Sequence, residues 1–239
     1  MILKKEITKR VDSALLDYKN TIRPAGIFDL FQDIAKAHVT ELGYSFIDMY
    51  NKGYYWVLLS QEYKVVSRLP LFDEVVKIVT YPKKREKLEF EREFEIRDKD
   101  DNLLIIASSN WVVIDTKNRM ISRAKDVIFD GEYYDKFNFM EKAFRRLNLN
   151  PVNVIEEFNY KVSLSDIDSN MHMNNAKYLD IIYNMKNFDN YHFYNELKFA
   201  YVKEATLGQI INVKYYQEND YECYVGYIDG NVCFEAKLK

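Results

Sequence analysis

At 239 residues the chain has room for two domains of roughly 110 residues each, and its 48% hydrophobic and 15% aromatic content can fill two cores. Only 7 Gly and 4 Pro leave little material for linkers or disorder, and 34 basic against 37 acidic residues give a net charge of −3 with the signs interspersed. Nucleic-acid and membrane-surface partners are therefore excluded as expectations. The two cysteines, Cys223 and Cys233, form neither a disulfide framework nor a zinc spacing. No apolar run is long enough to span a bilayer. The first ten residues alternate apolar and charged types without the apolar block of a signal peptide, so a cytoplasmic protein is expected.

In chain order, Ile2 to Val11 reads as a strand, followed by a polar connection through Asp17 to Pro24. Residues 25–43 read as a helix, with Phe28, Phe31, Ile34/Ala35, His38 and Leu42 in one stripe and Gly43 at the stop. His38, inside that stripe, reads as a core residue with one satisfied hydrogen bond. Strand-like runs follow at Tyr54–Ser60, Tyr63–Val66 and Val75–Tyr81. Leu88 to Ile96 alternates strictly, with four glutamates on one face. Asp100-Asp-Asn102 reads as a turn, and Leu103–Ala107 with Asn110–Ile114 continue the sheet. A connecting stretch at 129–152 carries a short helix around Met140–Leu147.

From residue 153 the order repeats. Phe158–Leu164 reads as a strand, a polar loop follows, and a helix runs from about 174 to 186. Strands at Leu197–Lys203 and Ile210–Tyr216 come next, and Asp229-Gly230 marks a hairpin between Tyr221–Ile228 and Val232–Leu238. Leu71 to Val76 can be laid over Thr206 to Ile211, with low identity, so the repeat is architectural. One helix against an antiparallel sheet, twice, is the plan of an α+β tandem hotdog. The domains are expected at 1–128 and 153–239, with 129–152 between them.

The stretch Asp166-Ile-Asp-Ser-Asn-Met-His-Met-Asn-Asn-Ala-Lys-Tyr178 concentrates two carboxylates, three asparagines and one of the 3 histidines. In an extended segment Asp168, Asn170 and His172 would point to one side, just before a helix N-terminus whose free N–H groups favour negative charge. Asn174 or Asn175 is the expected N-cap. A loop that only caps a helix would account for Asp166 and Asn174, but not for His172 in step with Asp168 and Asn170.

This motif resembles the signature of the acyl-acyl-carrier-protein thioesterases, the plant plastid enzymes and their bacterial relatives. Arg92 to Asp98, Ala107 to Val113, Arg119 to Arg123 and Ala35 to Val39 look like that family's N-terminal half. Tyr201-Val-Lys-Glu204 looks like its strand carrying a catalytic acid. The resemblance implies two hotdog domains, with the acyl chain held against the N-terminal one and the chemistry in the C-terminal one. It also implies a catalytic set of Asp168, Asn170, His172 and Glu204, with no metal and no cofactor. Where some members have a cysteine after the glutamate, this chain has Ala205, which removes a cysteine nucleophile from that place. At the position matching Glu204 the first half has Leu69, so one active site per chain is expected.

The reaction implied is hydrolysis of fatty acyl-acyl carrier protein to free fatty acid, with Glu204 activating water or attacking directly. Asn170, His172 and the helix N-terminus would polarise the carbonyl. Phe28, Phe31, Trp56 and Leu58 are the expected lining of the acyl pocket, and Asn174 and Asn175 are further substrate-binding candidates. The expected partner is an acyl carrier protein, with Lys83-Lys-Arg85, Lys87 and Arg145-Arg146 as candidate basic rim; a homodimer is compatible with this reading. Competing readings are an acyl-coenzyme A thioesterase, a non-catalytic acyl-binding hotdog and a hotdog hydratase.

Overall fold

The computed structural model describes residues 2–84, 88–123, 125, 127–134, 144–189 and 191–239. The chain divides into two compact units, Met1–Ala143 and Phe144–Lys239.

In the first unit, strand β1 (Lys5–Arg10) leads into helix α1 (Pro24–Glu41) and the short helix α2 (Phe46–Asn51). Strands β2 (Tyr54–Val65), β3 (Val75–Pro82), β4 (Phe90–Arg97) and β5 (Leu103–Asp115) follow. The antiparallel sheet runs β1-β3-β4-β5-β2. Pro24 at the first helical position costs no hydrogen bond, because that N–H would be unsatisfied anyway. Ile27, Phe28, Phe31 and Ile34 on α1 are fully buried. Each such side chain removed from water contributes about 1.5–3 kcal/mol. Phe31 packs on Phe94 of β4 at 4.7 Å between ring centroids, and Phe28 meets Tyr63 of β2 edge-on at 6.1 Å. Gly26 lets α1 lie on the preceding chain, since a Cβ there would sit 2.5 Å from the Leu15 carbonyl oxygen.

The second unit has the same order: β6 (Glu156–Lys161), α3 (Lys177–Asn184), β7 (Glu196–Tyr201), β8 (Ile210–Glu218), β9 (Tyr221–Ile228) and β10 (Asn231–Leu238). Its sheet runs β7-β10-β9-β8-β6, the first unit's order in repeat. Asp229 and Gly230 both take positive φ (51° and 75°), the twist a two-residue hairpin demands. The core gathers Tyr178 of α3 against Phe199 and Phe234, at 6.1 and 5.7 Å.

Several sequence expectations need correction. The two runs read around residue 60 are one strand, β2, carrying a bulge between Leu58 and Ser60; the runs around residue 108 are likewise one strand, β5. Helix α2 was not expected; Ser45 and Asp48 close it with a reciprocal capping box. Helix α3 spans only Lys177–Asn184, so the second unit's helix is short. Of the short helix expected at Met140–Leu147, residues 140–143 lie outside the described residues and 144–147 are not helical; Arg85 and Lys87 also lie outside the described residues. Of the four alternating glutamates, Glu93 and Glu95 are buried.

Candidate active site

The polar motif is shaped by local hydrogen bonds before any tertiary contact. Ser163 and Asp166 form a capping box around a single 3-10 turn, and Asp166 also accepts from Tyr160 Oη at 2.8 Å. The chain then reverses. The Asp168 amide donates to the His172 carbonyl at 2.9 Å, and Asp168 Oδ1 accepts from the Asn170 amide at 2.8 Å. Met171 adopts φ 65°, and Ile167 bridges Met173. The expected extended segment with Asp168, Asn170 and His172 on one side is therefore a tight turn. Asp168 acts on the backbone at Asn170.

The N-cap expectation is also corrected. Ala176 occupies the cap of α3, and Asn174 serves it from inside the loop, its Oδ1 accepting the Ala176 amide at 2.9 Å and its carbonyl the Lys177 amide at 2.9 Å. Those two amides are thus already taken. Asn175 is half-buried, and its carbonyl accepts from Tyr201 Oη at 3.0 Å.

Glu204 lies in the loop just after β7, not within a strand. Its neighbour Ala205 is fully buried and ties this loop to the motif twice. The Met173 amide donates to the Ala205 carbonyl at 2.8 Å, and the Ala205 amide donates to Tyr178 Oη at 3.0 Å. Val202 and Lys203 amides donate to the Cys233 carbonyl, fixing the other end of the loop. The result brings His172 Nε2 to 3.4 Å from Glu204 Oε2, with both side chains partly open to solvent. Asn170, two residues before His172, is exposed, and its side chain makes no hydrogen bond among the described residues.

Tyr178 and Tyr201 hold this arrangement together with Ala205; the sequence assigns the two tyrosines no role and marks Ala205 only as the place of an absent cysteine. Only the position of Tyr178 within the motif could have signalled its role. Burial raises the Tyr178 phenol well above its usual range, so it stays a neutral hydrogen-bonding group. Cys223 and Cys233 are buried, and burial pushes the Cys233 thiol up to about 12; neither is an available nucleophile at neutral pH. His192 is exposed, 3.9 Å from Glu222. Arg146 is no free rim cation, because Glu235 holds it at 3.0 Å.

The first unit carries a pocket beside α1, lined mainly by Ala35, Val39, Trp56, Phe90, Trp111 and Phe129, with the charged residues Lys36, Glu91 and Arg92 also in its wall. Of the residues expected to line an acyl site, Trp56 borders this pocket. Phe28, Phe31 and Leu58 are packed in the core and do not. No cluster of ligand-type side chains suited to a metal occurs among the described residues. No helix among them is long and apolar enough to cross a membrane.

Comparison with known proteins places this architecture. Residues 6–131 match the acyl-ACP thioesterase N-terminal domain, and residues 149–232 the acyl-ACP thioesterase C-terminal domain. A chloroplastic acyl-[acyl-carrier-protein] hydrolase from Cuphea viscosissima is 26% identical over 165 residues, covering 64% of this chain and 40% of that protein. The chain thus spans less than half the length of this curated relative. The fold is similar to an acyl-ACP thioesterase from Bacteroides thetaiotaomicron, with a TM-score of 0.89 at 18% identity over 98% of this chain and 96% of that one. It is similar also to a 12:0-ACP thioesterase from Umbellularia californica, with a TM-score of 0.81 at 17% identity over 99% and 96%. Two like-ordered antiparallel sheets in one polypeptide are a double hotdog, and the chain belongs to the acyl-ACP thioesterase family.

Proposed function

We propose that the chain hydrolyses the thioester of a fatty acyl group carried on acyl carrier protein, releasing free fatty acid and the carrier's thiol. The single observation that carries this reading is the approach of His172 Nε2 to Glu204 Oε2 at 3.4 Å on two loops joined by backbone hydrogen bonds. Family membership supplies the reaction class.

Glu204 is the general base. Its carboxylate takes a proton from water while the water oxygen adds to the thioester carbonyl carbon. His172 orients Glu204 and the attacking water. The Asn170 side-chain amide, on a backbone held by the Asp168 turn, donates to the developing oxyanion. Because Asn174 already occupies the first amides of α3, this role falls to the Asn170 side chain more than to the helix N-terminus. Collapse of the tetrahedral adduct breaks the C–S bond, and the proton on Glu204 passes to the leaving thiolate. Ala205 after the glutamate leaves no cysteine there to form an acyl-enzyme.

The first unit's pocket is assigned to the acyl chain, because its wall is mostly apolar and aromatic. The second unit is the catalytic one, and Leu69 leaves the first without a matching acid. A thiol-release assay over a ladder of acyl-carrier-protein chain lengths, run beside the same acyl groups on coenzyme A, tests the reading. Faster release from the carrier protein supports it, and no release from any carrier overturns it.

A further inference from the structure

The pocket in the first unit is apolar around most of its wall, yet one side chain in it is a buried cation. Arg92 is 4% exposed. It stands on the face of β4 that looks towards α1, paired across the sheet with Ser109 of β5, which in turn pairs with Gln61 of β2. Among the described residues its hydrogen bonds run through Nη1 alone, to His38 Nδ1 at 3.0 Å and Thr80 Oγ1 at 3.2 Å. Neither partner is a carboxylate.

A guanidinium has five N–H donors. Burying it without a counter-charge is costly, and buried donors nearly always find an acceptor. Here Nη1 is spent on the protein, while Nε and Nη2 make no hydrogen bond among the described residues and are available to whatever enters the pocket. The same row of the sheet holds a second unfilled polar group. Gln61 is 1% exposed, and neither its amide nitrogen nor its oxygen has a partner; Gln32 on α1 likewise leaves its amide nitrogen unpaired. A pocket meant for a plain hydrocarbon would gain by an apolar residue at Arg92. An alkyl chain displacing water from this corner would strand the charged donors.

We propose that Arg92 is a ligand-binding residue for an oxygen function, such as a hydroxyl, keto or carboxylate group, on the distal part of the acyl chain, so that the preferred acyl group is oxygenated. This deepens the acyl-pocket assignment and rests on it. Burial holds the Arg92 side chain down at about 9, still cationic at neutral pH. Burial and that cation hold His38 down at about 4, so its ring is neutral and Nδ1 is free to accept from Arg92. The cation is thereby fixed in place by neutral groups, and its charge is left for the ligand.

The test uses the full chain and acyl-pantetheine amides, in which nitrogen replaces the thioester sulfur so that no turnover occurs. A ladder of chain lengths is measured by calorimetry, each as the plain alkyl and the terminally hydroxylated form. The hydroxylated ligand is expected to bind at least about tenfold more tightly at the best length, as a hydrogen bond to a charged donor warrants. Arg92→Met should abolish that preference and Arg92→Lys should keep part of it. Equal or tighter binding of the plain chain at every length by the unaltered protein overturns the inference and makes Arg92 a hydrated stop on chain length. If neither form binds, the inference and the acyl-pocket assignment both fall. Thiol release from acyl carrier protein reports on the hydrolytic reading separately.

Discussion

His172 and Glu204 lie 3.4 Å apart, Nε2 to Oε2, although helix α3 and strand β7 come between them in the chain. Backbone contacts one residue further on, from the Met173 amide to the Ala205 carbonyl, set that approach. The two side chains themselves have little packing to lose, being partly open to solvent. Glu204→Ala and His172→Ala should therefore each lower kcat by about 10²–10⁴-fold, the span of general acid–base catalysis. Unfolding free energy should move by less than about 1 kcal/mol. Thiol-release kinetics beside urea unfolding checks both halves, and full activity in either variant removes that residue from the reaction.

Tyr178 places Glu204 without touching it. Its hydroxyl accepts the amide of Ala205 at 3.0 Å inside the core, where no water can take over. Tyr178→Phe leaves that amide unpaired, at a cost of about 1–3 kcal/mol. A positioning role predicts that kcat falls while KM stays near its original value, and that the pH dependence of kcat broadens as the loop samples more positions. A drop in stability with unchanged kcat would make Tyr178 a core residue only.

The parts of the chain legible in the sequence are those whose pattern depends on near neighbours. The α1 stripe of Phe28, Phe31 and Ile34 follows from helical spacing, and Asp229-Gly230 from the positive φ a tight hairpin needs. His38, read as a core histidine with one satisfied hydrogen bond, is 3% exposed and bonded to Arg92. The residue types of the motif could be read in the same way, but its conformation could not. Asp168, Asn170 and His172 alternate as if extended, and only the left-handed Met171 turns them back; nothing about a methionine announces positive φ. In the sequence Arg92 stands out only as part of a family-like segment. Its standing as a buried cation depends on Ser109, set opposite it by sheet register, on Thr80 of the neighbouring strand β3, and on His38, brought in by the packing of α1 on the sheet; none of these follows from spacing.

Glu235 is the fixed point of the segment that enters the second unit. Fully buried on β10, it accepts from Arg146 through both oxygens and from the amides of Leu147 and Leu149 at 2.8 and 3.1 Å. Burial alone would raise its carboxyl, but Arg146 and these amides outweigh it and hold the group below the usual glutamate range. A depressed folded-state value means stability that is present above the unfolded value and is lost as pH falls through the folded one. Glu235→Ala should cost about 2–4 kcal/mol at neutral pH by stranding the amides. Glu235→Gln should cost less, because the amide oxygen still accepts. Protection of the 147 and 149 amides from hydrogen exchange should fall in step. Unchanged exchange there would show that other contacts anchor the segment.

His38 supplies a pH dependence of a different kind. Burial first, and then the Arg92 cation, lowers it from 6.5 to about 4. Below pH 6.5 the unfolded chain binds a proton that the folded chain refuses, so folding is progressively disfavoured down to about pH 4, where both states are protonated. The stability contributed is complete above pH 6.5. The shift corresponds to at most about 3 kcal/mol, nearer 2 once partial solvent screening is allowed for. His38→Gln keeps an oxygen that can accept from Arg92 and removes the titrating ring. Carboxylates titrate near the bottom of the same range in both proteins, so the informative quantity is the difference between the two stability curves. That difference should be flat above pH 6.5 and should close or reverse in favour of the glutamine variant between pH 6.5 and 4. A difference that does not change with pH would mean that His38 is protonated in the folded protein as readily as in the unfolded chain. The Arg92–His38 hydrogen bond could not then have the direction given to it here, with the guanidinium donating to a neutral Nδ1.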